Sequence, residues 1–500
     1  MAMRTLLCVV ALAVACSSPA YDPTLEARRV GMTLSQPDPH IPAACYTRVD
    51  DGANPCWVCH TSPSLPHLTV DWPLQVARTF SPTATLNPWK ALFRPVGPPP
   101  WTEDEMARWI SEDNYTPLRQ QLAALPDWQG LKPDLDLMRG FDAAGFALDG
   151  SGWRSFPYVP FPGWGWPTNG GTGEVMIRLP TLYRVDGDGL ESASMYAQNL
   201  EILELAITTP PPRRGNPVKL PPSYVGRAQG IGPEWGLYPL GTEFLHPVRY
   251  VDLHQPGAMS TRLRELRYAK KVVASDVDSR RRRAEESVEE KEQGRPPRYA
   301  GNPEVGLVGD GGWQFQAFIE DQEGRLRVQT FEELSWCMGC HNGLGVTVDG
   351  TFSFARKSPG RQGWGRQNLV GMKDHPQWGQ AEGEMLTFMR RAGAGDLLRS
   401  NTEMMDKGWE GGLLRVAEVE RAGIGGDRDL AWWLLPSPQR AFLLNTAWRQ
   451  KVVGQHFEEG RDLVLSPPTH LLRQVDEVDT GLQQRGKVFT DGTLYLDWAR

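Results

Sequence analysis

The sequence is short of cysteine, of long apolar runs and of net charge, and each shortage excludes a class of protein. Only 7 of its 500 residues are cysteine, far below the density of a small disulfide scaffold. After the first sixteen residues no apolar run approaches the roughly 18 residues that a membrane-spanning helix needs. The formal net charge of -7 is mild, and no basic stripe with interleaved aromatics is present. Nucleic acid is therefore not an expected partner.

Glycine, proline and tryptophan, by contrast, are plentiful. The chain has 52 glycines, 42 prolines and 19 tryptophans, which is typical of a protein that folds but is rich in loops. Its length is more than one hydrophobic core usually holds, so we expect two or three domains.

The first residues have the pattern of a secretory signal. Arg4 provides a positive charge, Leu6–Ala15 is an apolar run too short to span a bilayer, and Cys16 follows directly. The segment Leu12–Cys16 resembles a bacterial lipobox, which implies that Cys16 becomes the lipidated first residue of the mature chain. The alternative is an ordinary signal peptide in which Cys16 is incidental. We expect an exported lipoprotein of the cell envelope, in the outer membrane or facing the periplasm.

Two pentapeptides of the form Cys-x-x-Cys-His are the most specific feature of the sequence. They are Cys56–His60 and Cys337–His341. In this pattern two thiols bond a porphyrin covalently and the adjacent imidazole binds the iron. Four thiolates could instead hold one zinc ion, or each pair could be a redox dithiol. The long separation of the two pairs and the histidine that follows each of them argue against both alternatives.

On these two pentapeptides and their flanks the chain resembles the c-type cytochromes. The resemblance implies two covalently bound haem c groups. It assigns thioether bonds to Cys56, Cys59, Cys337 and Cys340, and proximal iron ligation to His60 and His341.

The distal iron ligands decide function but are not fixed by spacing. Small c-type cytochromes often place an axial methionine at a range comparable to that of Met404 and Met405 from the second pentapeptide, so the resemblance favours this pair. Ordinary packing is the alternative for every methionine or histidine considered. The other candidates are His40, His67, Met106 and Met138 for the first haem, Met372, His375, Met385 and Met389 for the second, and His246 and His254 for either.

We predict an α+β protein in which two mainly helical c-type haem modules flank a loop-rich, partly β middle section. The predicted segments are a signal peptide at 1–15, a tether at 16–44, a first haem module at 45–150, a middle section with a long charged helix at 151–310, a hairpin and second haem module at 311–454, and a C-terminal ribbon at 455–500.

Capping residues, turns and hydrophobic periodicity predict several individual elements. The predicted helices open at Thr102 and at Thr116-Pro117, or run over Ser194–Ile207, Ser260–Gln293 and Ser437–Lys451; the predicted strands are Glu174–Val185 and the hairpin Trp313–Ile319 with Arg325–Thr330.

These features predict an electron carrier that accepts electrons from one redox protein and donates them to another, held at a membrane by its lipid anchor. No residue is assigned a catalytic role. One alternative is a dihaem peroxidase or oxygenase with one five-coordinate haem, and another is a scaffold subunit of a respiratory complex.

Overall fold

The computed structural model describes most of the chain between residue 85 and residue 455. The described residues are 46, 85–93, 98–160, 172–210, 217–274, scattered positions in 275–298, 299–309, 311–343, 348–351, 353–392, 395–396, 399–400, 402–422, 428–455, 471–475 and 495–500. The predicted signal peptide, Cys16, the whole predicted tether, the first pentapeptide and most of the predicted C-terminal ribbon lie outside these residues.

A nine-stranded antiparallel sheet is the centre of the described fold. Its main path has the order β1-β3-β4-β5-β8-β7-β6, with β2 paired to β4 and β9 paired to β8. The strands are β1 (Arg154–Phe156), β2 (Thr172–Gly173), β3 (Val175–Arg178), β4 (Glu243–Val251), β5 (Met259–Lys271), β6 (Ala300–Asn302), β7 (Gly306–Val308), β8 (Trp313–Glu320) and β9 (Leu326–Val328).

Nine α-helices among the described residues complete an α+β fold, which confirms the predicted class. They are α1 (Glu103–Ser111), α2 (Tyr115–Ala123), α3 (Ala193–Thr208), α4 (Phe331–Gly343), α5 (Glu384–Ala392), α6 (Thr402–Gly408), α7 (Val416–Glu420), α8 (Leu430–Leu434) and α9 (Pro438–Gly454). Two small hairpins, β10 (Gly395–Asp396) with β11 (Arg399–Ser400) and β12 (Trp409–Glu410) with β13 (Leu413–Leu414), lie among the later helices. No helix in the described part of the chain is both long and apolar enough to cross a membrane.

The predicted helix from Ser260 is wrong at its start, because Met259–Lys271 is strand β5. Leu263 and Leu266 are three residues apart and both fully buried in one core, a spacing that also occurs on one face of a helix. In the sheet a bulge produces this spacing, because Leu263 and Glu265 oppose the consecutive residues Arg249 and Val248 of β4. The extra residue shifts the alternation of side chains along β5 and returns Leu266 to the face of Leu263.

The hairpin of β8 and β9 is confirmed, with Phe318 opposite Val328. Its turn is held by Asp321, whose Oδ1 accepts hydrogen bonds from the backbone N–H groups of Glu323 (3.0 Å) and Arg325 (2.8 Å). Gly324 has a φ of +79°, and a Cβ at this position would collide with the ring of Trp109. Only glycine fits both constraints.

Capping explains where the predicted helices begin. Thr102 and Glu105 form the expected capping box of α1, and Ser437 caps α9 with Pro438 in the first turn. The cap predicted at Thr116 is wrong, because α2 begins at Tyr115. Asp113 Oδ1 accepts hydrogen bonds from the backbone N–H groups of Tyr115 (2.9 Å) and Thr116 (3.0 Å).

The remaining predictions have mixed outcomes. The helix predicted over Ser194–Ile207 is confirmed as α3, whereas of the strand predicted over Glu174–Val185 only Val175–Arg178 is extended as a strand. Pro180 follows, and a short 3-10 helix over Thr181–Tyr183 replaces the rest.

Alternating side chains of the sheet supply two cores, one on each face. Val175 and Ile177 of β3 point to the core covered by α3 and α4, while Met176 between them points to the core covered by α2. A third core, formed by α5 to α8, lies beyond the sheet and includes Met385 and Trp433. Strands β1 to β7 precede the predicted boundary at residue 310, and β8 and β9 follow it. The middle section and the hairpin that leads to the second pentapeptide therefore share one sheet.

Glu320 at the end of β8 is fully buried and joins three other elements. Its Oε2 accepts hydrogen bonds from Tyr250 Oη (2.6 Å) and Trp448 Nε1 (3.3 Å), and its Oε1 accepts one from Arg262 Nη1 (3.3 Å). Burial raises the pKa of Glu320 to about 7, because the low-dielectric interior disfavours the charged carboxylate more than these donors stabilise it.

We predict that Glu320→Gln changes the pH dependence of stability. A raised pKa means that the folded state binds the proton more tightly than the unfolded state, so this group's contribution to stability is present below about pH 4.5 and is lost as the pH rises through about 7. The free energy of unfolding of wild type relative to the variant should fall by on the order of 1–3 kcal/mol across that window. Urea denaturation at a series of pH values measures it. Burial also raises the pKa of Asp374 to about 7, but Asp374 is present in both proteins, so its contribution cancels in the difference between them. Parallel curves of stability against pH for the two proteins would contradict the prediction.

Candidate haem site

The second Cys-x-x-Cys-His pentapeptide lies in the C-terminal half of α4, which packs on strand β8. The first pentapeptide lies outside the described residues, so its assignments at Cys56, Cys59 and His60 stay predictions. For Cys340 and His341 the structure describes the backbone, which is helical at both positions.

The start of α4 is fixed by a capping box at Thr330. Thr330 N donates to Glu333 Oε2 (2.8 Å), and Glu333 N donates to Thr330 Oγ1 (3.1 Å). Arg327 of β9 then binds Glu333 with two parallel hydrogen bonds of 2.9 Å and 3.0 Å. This bidentate pair joins α4 to strand β9 and so helps to fix the position at which the helix begins.

One side of α4 packs into the core and an adjacent side carries the pentapeptide. Phe331, Leu334 and Met338 are all buried in the core shared with α3, at spacings that fall on one helix face. Cys337 is only half-buried. Positions 337, 340 and 341 are three and four residues apart, so they lie on one side of the helix, next to the core face.

A buried amide beside Cys337 has a free donor. Gln329 is 1% exposed, and its Oε1 lies 3.9 Å from Cys337 Sγ. Its Nε2 is buried and has no hydrogen-bond partner among the residues that the structure describes. Buried amide donors are rarely left unpaired, so this one is available to a polar group bound beside Cys337.

These residues fit a covalently attached haem. Cys337 and Cys340 would form the two thioether bonds, and His341 would bind the iron. Such a group, when bound, would supply one-electron exchange between ferric and ferrous iron. With haem attached, the packing of α4 on β8 would hold the pentapeptide in place, and the buried Met338 would exclude water from that side.

The two favoured distal candidates have different environments. Met404 is 5% exposed and packs with Met385, Met389 and Trp433 in the third core, while Met405 is 40% exposed. Met338 of helix α4, which carries the second pentapeptide, belongs to a different core from Met404. The assignment of Met404 and Met405 as distal ligands stays a prediction.

Two of the candidate histidines have a neutral imidazole at pH 7, the form that binds iron. Burial lowers the pKa of His246 to about 3, and its ring meets that of Tyr158 edge-on at 5.8 Å. Partial burial lowers the pKa of His375 to about 4. His254 is exposed. Of the candidates for the first haem, Met106 is buried at 2% exposure and Met138 is 66% exposed.

Comparison with known proteins identifies the family. The model of a lipoprotein family matches residues 29–408 of the chain. The chain belongs to this lipoprotein family. Among its relatives is an "Uncharacterized lipoprotein" of Aquifex aeolicus (strain VF5), which is 30% identical over an alignment of 531 positions that covers 90% of this chain and 91% of the relative. No solved structure matches the chain.

Membership in this lipoprotein family implies a location in the cell envelope and association with a membrane through a lipid anchor. The Cys-x-x-Cys-His pentapeptides and Cys16 could be found in the sequence. Gln329 could not, because its importance depends on strand β9 and helix α4 bringing it to Cys337, and a buried glutamine in a sequence carries no signal of its own.

Proposed function

We propose that the protein is a dihaem c-type cytochrome that transfers electrons in the bacterial cell envelope. The observation that carries the proposal is the repeated Cys-x-x-Cys-His pentapeptide, at Cys56–His60 and at Cys337–His341. Membership in a lipoprotein family supports it, because covalent haem is attached outside the cytoplasm in bacteria. The capped helix α4, on which positions 337, 340 and 341 lie on one side, supports it at the second pentapeptide.

The proposed carrier takes single electrons from one redox protein and passes them to another. His60 and His341 would be the proximal ligands, and Met404 or Met405 the distal ligand of the second haem. A methionine or histidine in the sixth position gives low-spin iron that exchanges electrons with little rearrangement. A sixth position without a protein ligand would instead allow small molecules to bind, which is the requirement of the alternative peroxidase or oxygenase.

Electron paramagnetic resonance of the purified ferric protein tests this assignment. We expect two low-spin signals, and no rapid change in the absorption spectrum of the reduced protein when carbon monoxide is added. A high-spin signal accompanied by rapid carbon monoxide binding would overturn the carrier and favour the dihaem enzyme. The absence of any haem signal would overturn both.

We further propose that Cys16 carries the lipid anchor, and we predict that Cys16→Ala releases the protein from the membrane. Two or three acyl chains bind a bilayer stably, whereas a protein without them has no equivalent attachment. Fractionation should find the wild type in the membrane pellet and the variant in the soluble fraction or unprocessed. Cys45→Ser is the matched control and should remain in the pellet. Mature Cys16→Ala protein that still sediments with membranes would contradict the prediction.

A further inference from the structure

A cleft lies between helix α3 and the C-terminal segment 495–500. Its volume is about 270 Å³. Glu201, Glu204 and Thr208 line it from α3, Trp378 from the loop before α5, and Asp497 and Trp498 from the C-terminal segment. The lining residues therefore include three carboxylates and two indoles, and neither lysine nor arginine.

Asp497 is a buried carboxylate that lacks a counter-ion. It is 7% exposed, and the described hydrogen bond to its side chain comes from the backbone N–H of Ala499 (3.2 Å). Within the described ranges no lysine or arginine side chain forms an ion pair with it. Burying a charge without a partner is costly, so the position is suited to a bound cation.

Glu204, in the same cleft, is already neutralised. Lys357 Nζ donates to Glu204 Oε2 (2.6 Å), and Gly360 N donates to Glu204 Oε1 (2.6 Å). Glu201 at the rim faces the exposed Arg361, at an Oε1–Nε distance of 3.7 Å. The negative charge without a paired lysine or arginine therefore lies at Asp497. Among the described residues, Glu201 at the rim is paired only with the exposed Arg361.

Two indole rings complete the cleft. Trp498 lies against His375, with ring centroids 4.4 Å apart. Trp498 Nε1 is buried and has no acceptor in the part of the chain that the structure describes. An indole face attracts cations through its quadrupole, and Trp is the strongest of the aromatic residues in this respect.

We propose that this cleft binds a small organic cation, an alkylammonium or quaternary ammonium compound. Asp497 supplies the counter-charge, and Trp378 and Trp498 supply apolar and cation–π contact. The volume limits the ligand to a few heavy atoms beyond the ammonium group. The site does not depend on the proposed electron-transfer function.

Calorimetric titration of the purified full-length protein with choline tests the proposal. The control ligand is 3,3-dimethylbutan-1-ol, which has the shape of choline but carries no charge. We expect choline to bind and the alcohol to bind at least about tenfold more weakly, since the ion pair and the cation–π contact both require the charge. Equal affinities would overturn the cation site in favour of a merely apolar cleft. The absence of any binding heat at millimolar choline would overturn the site altogether.

Three variants separate a binding role from a structural one. Asp497→Asn keeps the oxygen that accepts from Ala499 and removes the charge, so we expect choline affinity to fall about tenfold while thermal stability is unchanged or higher. Trp378→Leu should lower affinity about fivefold. Arg361→Gln removes a rim cation that is 91% exposed and should leave affinity unchanged or raise it up to about threefold. Wild-type affinity in a folded Asp497→Asn protein would contradict the proposal.

Discussion

Replacing Cys337 and Cys340 together by serine is expected to reduce the haem content from two groups to one per chain. Serine hydroxyls do not form the thioether bonds that hold haem c, and the remaining pentapeptide would carry the remaining haem. The pyridine haemochrome spectrum, normalised to protein concentration, gives the stoichiometry. Covalent haem also survives denaturation, so a haem-stained denaturing gel reports on the variant even if the loss of haem prevents folding.

The matched control is Cys45→Ser, which removes a thiol outside both pentapeptides and should retain two haems. A double variant of Cys56 and Cys59 should also retain one haem, and only the quadruple variant should lose both. Two haems in the Cys337→Ser, Cys340→Ser protein would contradict the assignment of the second pentapeptide.

Replacing Arg262 by methionine is expected to lower the free energy of unfolding by about 3–5 kcal/mol. Arg262 is 3% exposed, and its guanidinium donates to Trp109 O (2.6 Å), Gly324 O (2.7 Å) and Glu320 Oε1 (3.3 Å). It also stacks on the Trp109 ring at 3.8 Å and pairs with Glu112. The substitution leaves the buried Glu320 without its cation and two carbonyl groups without a donor, which is the costly way to break a buried pair.

Urea denaturation near neutral pH measures this loss. Arg390→Met is the matched control, because Arg390 and its partner Glu382 are 42% and 34% exposed and their nitrogen–oxygen distance is 2.8 Å. We expect this surface pair to contribute less than about 1 kcal/mol. Similar losses in the two variants would show that the buried network around Glu320 is not an important source of stability.

Elements set by local signals could be predicted from the sequence, and those set by distant contacts could not. Helix α3 and the β8–β9 hairpin follow from periodicity, capping and turn residues that lie within each segment. Strand β5 is an element that the sequence prediction misses, and a bulge opposite Arg249 leaves two of its buried leucines three residues apart on one face. A bulge depends on the partner strand, so no pattern within Met259–Lys271 alone reveals it.

The candidate sites divide in the same way. The proposed attachment residues of the second haem form a contiguous pentapeptide, and the structure adds that it lies on a helix capped by Thr330 and Glu333. Gln329 Nε2 matters only because folding buries it without a hydrogen-bond partner among the described residues. Asp497 matters only because folding buries its side chain beside the cleft, with no lysine or arginine paired to it in the described ranges. Distal ligation likewise depends on chain segments that meet in space, which is why spacing could favour Met404 and Met405 without fixing them.

The stoichiometry of haem in the purified wild-type protein tests the central claim most directly. The pyridine haemochrome assay, combined with the intact mass after acid-acetone extraction, should give two covalently attached haem c groups per chain. A mass equal to that of the polypeptide with its lipid alone, and no haemochrome absorption, would contradict the account of this protein as a dihaem cytochrome.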